Sequence, residues 1–201
     1  ELTRSDPIYP AIILAGCMGL RRSEALGLRW SRIDWEQNTV LLDTKIVEYE
    51  RDGEKVVEPV EEMKNKSSRR TLPLPGPVRE MLGTEKEKLE IYRKMFGKSY
   101  DLQYLDYVCV DQLGRLIRPS YVTQHFSDII KKYGLRKLTF HGLRHTMASI
   151  LISHDVPLIN VSNFLGHSDI STTANIYAHL DKASKQASAD IITDIFKKDG
   201  E

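Results

Sequence analysis

The sequence predicts a mainly α-helical domain with a small antiparallel β-sheet. Three observations carry that expectation. The second half of the chain repeats its apolar residues at helical spacing, segment after segment. The stretch between residues 39 and 74 instead holds short strand-like runs around an Asp52-Gly53 turn signal. Pro and Gly punctuate the boundaries between these segments.

Taken in order, Ser5 or Asp6 followed by Pro7 reads as a helix start, with Pro at the first helical position. The apolar run Ile8 to Leu14 continues that helix. Arg22 to Leu28 reads as a second, short helix, because Ala25, Leu26 and Leu28 join Leu20 in an apolar stripe. Thr39 to Asp43 (TVLLD) reads as a strand, as do parts of Lys45 to Val57 and Arg70 to Leu74. Together they make one small antiparallel sheet, which Pro73, Pro75 and Pro77 end. An amphipathic helix runs from Val78 to Met95. Ser120 to Tyr133 sets Val122, Phe126, Ile129, Ile130 and Tyr133 on one side, and Gly134 closes it. His141 to Ser153 places Leu143, Met147, Ile150 and Leu151 at helical spacing. Pro157 to Leu165 is a short helix that Gly166 stops, and Ser171 to His179 is another. Lys182 to Phe196 forms a separate tail helix with Ala183, Ala187, Ile191, Ile192, Ile195 and Phe196 as its apolar stripe. The chain thus divides into a body, residues 1–181, and a tail, residues 182–201.

At 201 residues the chain suits one domain and can bury a substantial core. With 41% hydrophobic and 28% charged residues it has an ordinary globular composition. No apolar run approaches the roughly 20 residues that a membrane-spanning helix needs. The start, ELTRSDPIYP, lacks the basic flank and apolar core of a signal peptide. It also lacks Met, so the chain is expected to be a piece of something longer. Cys17 and Cys109 sit far apart in apolar surroundings and read as buried free thiols of a cytosolic protein.

The net charge is only +1, but its distribution is uneven. From Met63 to Arg79 there is no acid, while Lys64, Lys66, Arg69, Arg70 and Arg79 are basic. From Ile129 to His154 acids are again absent, and Lys131, Lys132, Arg136, Lys137 and Arg144 occur. Charge alone leaves two readings open, a solvated face and a surface for a polyanion.

Four local patterns carry chemistry. GLRRSEALGLRW puts Arg21, Arg22 and Glu24 at the head of a helix. MKNKSSRRTLPLP is a basic turn leading into a strand. HGLRHT places His141 and Arg144 at i, i+3, on one helix face. In LGHSDISTTANIYAH, His167 follows a helix end and Tyr177 comes ten residues later. Each alone has a plain structural reading: a surface arginine, a turn lysine, a half-buried tyrosine. His141 and His145 have the spacing of a zinc pair, but Gly142 stands where a metalloprotease helix needs glutamate, so no metal is expected.

In combination and in this order, the patterns resemble the tyrosine recombinase (phage integrase) family, nearly from Tyr9 to Tyr177. The spacing of Thr172, Thr173 and Tyr177 and the K-N-K-S-S-R-R turn look most like integrases of Gram-positive phages and integrative conjugative elements. The resemblance implies a recombinase catalytic domain that cleaves and rejoins DNA strands through a 3′-phosphotyrosyl bond. It makes Tyr177 the nucleophile, Arg21 and Arg144 the phosphate-binding arginines, and Glu24 the support of Arg21. His141 completes the His-x-x-Arg box, and His167 is the histidine of the Leu-Gly-His box. Lys64 is the acid for the leaving 5′-oxygen, with Lys66 as its rival, because Asn65 stands where the family usually has Thr. Cys17-Met18 also replaces a common Thr or Tyr-Thr. Arg22 neighbours Arg21, but the G-L-R-x-S-E register selects Arg21. Lys66, Arg69, Arg70 and Lys137 are the expected DNA contacts.

The implied partners are double-stranded DNA at specific recombination sites and three further copies of the chain, a tetramer on DNA and a monomer without it. No cofactor, metal or membrane is implied, and the setting is the bacterial cytoplasm at the nucleoid. The tail either packs on its own domain or docks on a neighbouring copy. A type IB topoisomerase and a non-catalytic DNA-binding protein on the same scaffold are the competing readings. The Leu-Gly-His box and the tail favour a recombinase over the first, and the retained Tyr177 and arginines over the second.

Overall fold

The computed structural model describes residues 3–61, 69–167 and 169–174. Six helices, α1 (Tyr9–Met18), α2 (Arg22–Leu26), α3 (Gly76–Phe96), α4 (Pro119–Lys132), α5 (Phe140–Ser153) and α6 (Leu158–Leu165), surround the described core. Five strands, β1 (Ile33–Asp34), β2 (Thr39–Leu42), β3 (Lys45–Arg51), β4 (Glu54–Val60) and β5 (Arg70–Pro73), lie between α2 and α3. The mainly α architecture with a little antiparallel sheet is therefore as expected.

Helix α1 is the central element. Pro10, Ala11, Leu14, Ala15 and Met18 are buried, and the helix packs against α2, α3 and α5. A helix apolar on all sides belongs inside a domain, and full burial of Leu14 and Met18 stabilises by about 1.5–3 kcal/mol each. It starts at Tyr9, later than the Pro7 signal predicts, and Pro10 rather than Pro7 occupies its first turn. Asp6 still shapes the entry, since its carboxylate accepts the Ile8 N–H at 3.0 Å. At the other end Gly19 takes φ +64, a left-handed closure that glycine adopts without strain.

The strands form two units where one was expected. β1, β2 and β5 make a three-stranded antiparallel sheet, with Val40 facing Leu72, while β3 and β4 pair only with each other among the described residues. The break falls at Asp43 and Thr44. Asp43 is held by Arg29 at 3.1 Å and Arg32 at 2.8 Å. The Thr44 carbonyl lies so close to Gly27 that a Cβ there would meet it at 2.4 Å. The chain is thus pulled off the β2 line before β3 begins. Asp52 and Gly53, both at positive φ, make the anticipated hairpin turn. Pro59 is tolerated inside β4 because, among the described residues, that strand has an open edge.

Helices α4 and α5 supply Val122, Phe126, Ile129 and Phe140 to the main core, and Phe126 meets Phe140 edge-on at 5.6 Å. A small second cluster of Ala148, Ile152, Val161 and Leu165 joins α5 to α6. Cys109 is buried and Cys17 only partly so, which corrects the expectation that both are interior; both are free thiols. Cys17 lies near the end of α1, beside the chain reversal at Gly19. Among the described residues, no helix is long and apolar enough to cross a membrane.

Candidate active site

The C-terminal ends of two helices, α1 and α6, lie at the site, and each presents backbone carbonyls that no helical N–H can reach. Gly166 closes α6 in the left-handed conformation at φ +71, and the His167 N–H bonds back to the Ser162 carbonyl at 3.0 Å. This closure leaves the carbonyls of Phe164 and Gly166 for side chains to satisfy. Arg70 Nε donates to the Phe164 carbonyl at 3.0 Å, and Arg21 Nη2 donates to the Gly166 carbonyl at 2.8 Å. At the end of α1, Arg144 Nη1 donates to the Gly19 carbonyl at 2.7 Å. Cations at helix C-termini also sit at the favourable end of the helix dipole.

Glu24 ties this cluster together. It occupies the third position of α2, where a capping glutamate reaches back to the helix start. One carboxylate oxygen accepts the Arg21 backbone N–H at 3.0 Å, and the other accepts Arg21 Nη1 at 2.7 Å. Arg70 adds contacts at 3.2 and 3.4 Å. Glu24 is only 3% exposed. Burial alone would raise its pKa, but Arg70 and Arg21 outweigh burial and hold the carboxyl below the usual range.

The sequence pair Arg21-Arg22 is resolved by direction. Arg21 turns toward Glu24 and α6, whereas Arg22 bonds the Thr123 hydroxyl on α4. Arg70, expected among the DNA contacts, is bound within the protein. Its side chain is 8% exposed and its guanidinium faces Glu24 and α6, because the helix end and the carboxylate offer it three acceptors. Arg69 and Lys137 are exposed. Lys64, Lys66 and Tyr177 lie outside the described residues, as does the tail from Lys182 to Phe196.

Arg144 is 2% exposed, and its Nη2 has no hydrogen-bond partner among the described residues. A buried guanidinium nitrogen without an acceptor is costly. Burial and the neighbouring Arg21 push Arg144 down to about 9, so it remains charged at neutral pH. His141 stands near the start of α5, which Thr139 caps by accepting the Gly142 N–H at 3.0 Å. Its ring meets His145 edge-on at 4.7 Å. Desolvation, then His145, Arg144 and Arg21, hold His141 below the usual histidine range. His167 is half-buried, with Nδ1 at 2.8 Å from the Thr173 hydroxyl. Desolvation, Arg144, Arg21, His145 and Arg70 push it down to about 4.

The centre therefore gathers three guanidiniums, Arg21, Arg70 and Arg144, against one carboxylate, Glu24, with two imidazoles that stay neutral at pH 7. Such a set suits an anion with two or more acceptor oxygens. Among the described residues, no three His, Cys, Asp or Glu side chains gather as metal ligands do. Arg70, Thr173 and the carbonyls at the ends of α1 and α6 are the members that motif reasoning missed as parts of the centre. Thr173 carried a signal, its place in the S-T-T run after the Leu-Gly-His box.

Arginines and imidazoles thus gather where the C-terminal ends of α1 and α6 meet α2 and α5. Residues 7–184 match the phage integrase family, and the chain belongs to that family. It is 33% identical over 202 residues to a XerC-like tyrosine recombinase of Caldanaerobacter subterraneus, covering 98% of this chain and 51% of that protein. The tyrosine recombinase XerC of Pediococcus pentosaceus is 28% identical over 85% of this chain and 48% of its own length. The chain thus spans about half the length of these curated relatives. In fold it resembles the Tn1549 transposon integrase bound to circular-intermediate DNA, with a TM-score of 0.73 and 23% identity over 92% of this chain and 59% of that one. A λ integrase dimer bound to a core site gives a TM-score of 0.55 at 16% identity, over 87% of this chain and 54% of that one.

Proposed function

We propose that this chain is the catalytic part of a site-specific DNA recombinase that serves the integration and excision of a mobile element. The observation that carries the reading is the cluster of Arg21, Arg144, His141 and His167, in which Arg144 keeps a buried donor without a partner among the described residues. A non-bridging phosphate oxygen satisfies that donor, and Arg21 takes the other face of the same phosphate. Donors fixed in place before charge develops are usually the largest catalytic contribution.

The reaction then runs as a balanced exchange of esters. The Tyr177 phenol oxygen attacks phosphorus, its proton passes to His141, and the bond from phosphorus to the 5′-oxygen breaks. Lys64 protonates the leaving 5′-oxygen. His141 can accept the proton because its neighbours keep it neutral at pH 7. The phosphotyrosyl ester conserves the bond energy, so the 5′-hydroxyl of another strand reseals it. Arg69, Lys66 and Lys137 are placed on the DNA backbone in this reading. Support for duplex DNA as the partner comes from the structural neighbours, which carry integrase and DNA in one complex. Four copies act together on two duplexes, and the tail, residues 182–201, docks on the next copy.

The test is incubation of the full-length protein with a nicked duplex that traps the cleaved strand. A covalent protein–DNA adduct is expected, and it is expected to persist in excess EDTA because the guanidiniums supply the electrophilic stabilisation. Loss of the adduct in chelator, restored by added metal, contradicts the account. The two lysines are separated by a substrate with sulfur at the 5′-bridging position, since a thiolate leaves without a proton. Cleavage by Lys64→Ala is expected to recover on that substrate, whereas Lys66→Ala is expected to bind DNA more weakly and show no recovery. Recovery at Lys66 alone reverses the assignment.

A further inference from the structure

The described contact that fixes the His167 ring is made by a residue that none of the recombinase motifs assigns. Thr173 lies in the helical turn 171–174, which Asp169 opens by accepting the Ser171 N–H at 2.8 Å. Thr173 is 0% exposed, and its hydroxyl sits 2.8 Å from His167 Nδ1. Among the described residues that is the hydroxyl's one hydrogen bond. A neutral imidazole has one protonated nitrogen and one acceptor, and the partner of the first nitrogen decides which is which. If Nδ1 carried the proton, the buried Thr173 hydroxyl would have no acceptor for its own hydrogen among the described residues, a cost of a buried unsatisfied donor. If Thr173 donates, both groups are satisfied.

We infer that Thr173 is a positioning residue: it donates its hydroxyl hydrogen to His167 Nδ1, keeps the ring proton on Nε2, and so presents an N–H to the scissile phosphate. This deepens the proposed function and rests on it. Phosphate oxygens only accept hydrogen bonds, so the opposite tautomer turns a lone pair toward an anion and adds repulsion where an attraction belongs. Desolvation, with the surrounding Arg144, Arg21, His145 and Arg70, keeps the ring neutral, pushed down to about 4, so a doubly protonated ring is not the way the donor is secured at pH 7. A hydroxyl at position 173 is then what separates the productive tautomer from the unproductive one.

The experiment compares Thr173→Val and Thr173→Ser in the full-length protein. Valine keeps the shape and removes the hydroxyl, and serine restores it. Single-turnover cleavage of the nicked duplex is expected to fall about tenfold in Thr173→Val, the equivalent of roughly 1.4 kcal/mol. Affinity for the duplex should be unchanged and Thr173→Ser should stay within about threefold of the native rate. Imidazole ¹⁵N shifts of the DNA-free native protein supply the readout that a packing role would not move. They are expected to report His167 protonated on Nε2 alone, with Thr173→Val showing a mixture of tautomers. A native ring protonated on Nδ1 overturns the inference even if the valine variant does not fold, and so does a valine variant that cleaves at the native rate. Failure of the native protein to form any adduct, with the Nε2 tautomer present, defeats the recombinase reading and leaves the Thr173 contact standing.

Discussion

Replacing Arg144 with lysine is expected to slow strand cleavage by about 10²- to 10³-fold, the usual cost of one preorganised donor at a developing oxyanion. DNA affinity should change little. The charge is nominally kept, so the loss isolates geometry. Arg144 spends one nitrogen on the Gly19 carbonyl and holds another, Nη2, buried and without a described partner. A lysine has one nitrogen on a flexible stem and cannot do both at fixed spacing. The surroundings compound the loss. Burial and Arg21 already push a guanidinium down to about 9. The same desolvation acts on an ammonium that starts near 10.4 and lowers its pKa. Single-turnover cleavage beside equilibrium binding measures the split. Cleavage within tenfold of the native rate means that Arg144 does not hold the phosphate as described.

The second large effect falls on stability. Glu24→Gln is expected to cost about 3–5 kcal/mol, the range for breaking a buried ion pair by removing one partner. The carboxylate receives the Arg21 backbone N–H, the Arg21 guanidinium and the Arg70 guanidinium in a site 3% exposed. A glutamine offers one acceptor oxygen and turns an N–H₂ group toward a guanidinium. The pH dependence gives an independent check. The folded-state pKa of Glu24 lies below its unfolded value of about 4.5. Its stabilisation is therefore fully present above pH 4.5 and is lost as pH falls through the folded value. Denaturant midpoints of the native protein should approach those of Glu24→Gln as pH drops below 4.5. A constant gap between the two across that range, or a loss under 1 kcal/mol at pH 7, removes Glu24 from its bracing role.

The fold was legible where the sequence signal is local. Gly134 and Gly166 mark the ends of α4 and α6 because left-handed closure needs glycine, and Asp52-Gly53 marks the β3–β4 turn for the same reason. The boundaries were less legible where tertiary contacts decide. Pro7 has the chemistry of a helix start, yet α1 begins at Tyr9 after Asp6 has bound the Ile8 N–H. The expected single sheet divides because Asp43 is drawn to Arg29 and Arg32, residues 14 and 11 positions away that no local pattern pairs with it.

The site divides in the same way. Arg21, Glu24, His141, Arg144 and His167 were named from motif order and the family resemblance, and the fold draws Arg144 onto the end of α1 and Arg21 onto the end of α6, with Glu24 holding Arg21. Arg70 was read as one more positive charge in a basic run, because composition carries no direction. Only the meeting of β5 with α2 and α6 shows its guanidinium facing a carboxylate and a helix end. Thr173 was visible as part of a repeat of hydroxyl residues, but its partner His167 lies six positions earlier across a turn, beyond what periodicity reports.

The central claim is that one tyrosine becomes the covalent link to DNA, and peptide mapping of the trapped adduct tests it most directly. Cleavage after Arg144 and Lys182 releases a peptide, residues 145–182, in which Tyr177 is the single tyrosine. The account predicts that mass spectrometry finds a nucleotide joined through its 3′-phosphate to that peptide, with fragmentation locating it on Tyr177, and that Tyr177→Phe yields no such species. A 3′-linked nucleotide on another residue, or an adduct formed at the native level by Tyr177→Phe, contradicts it.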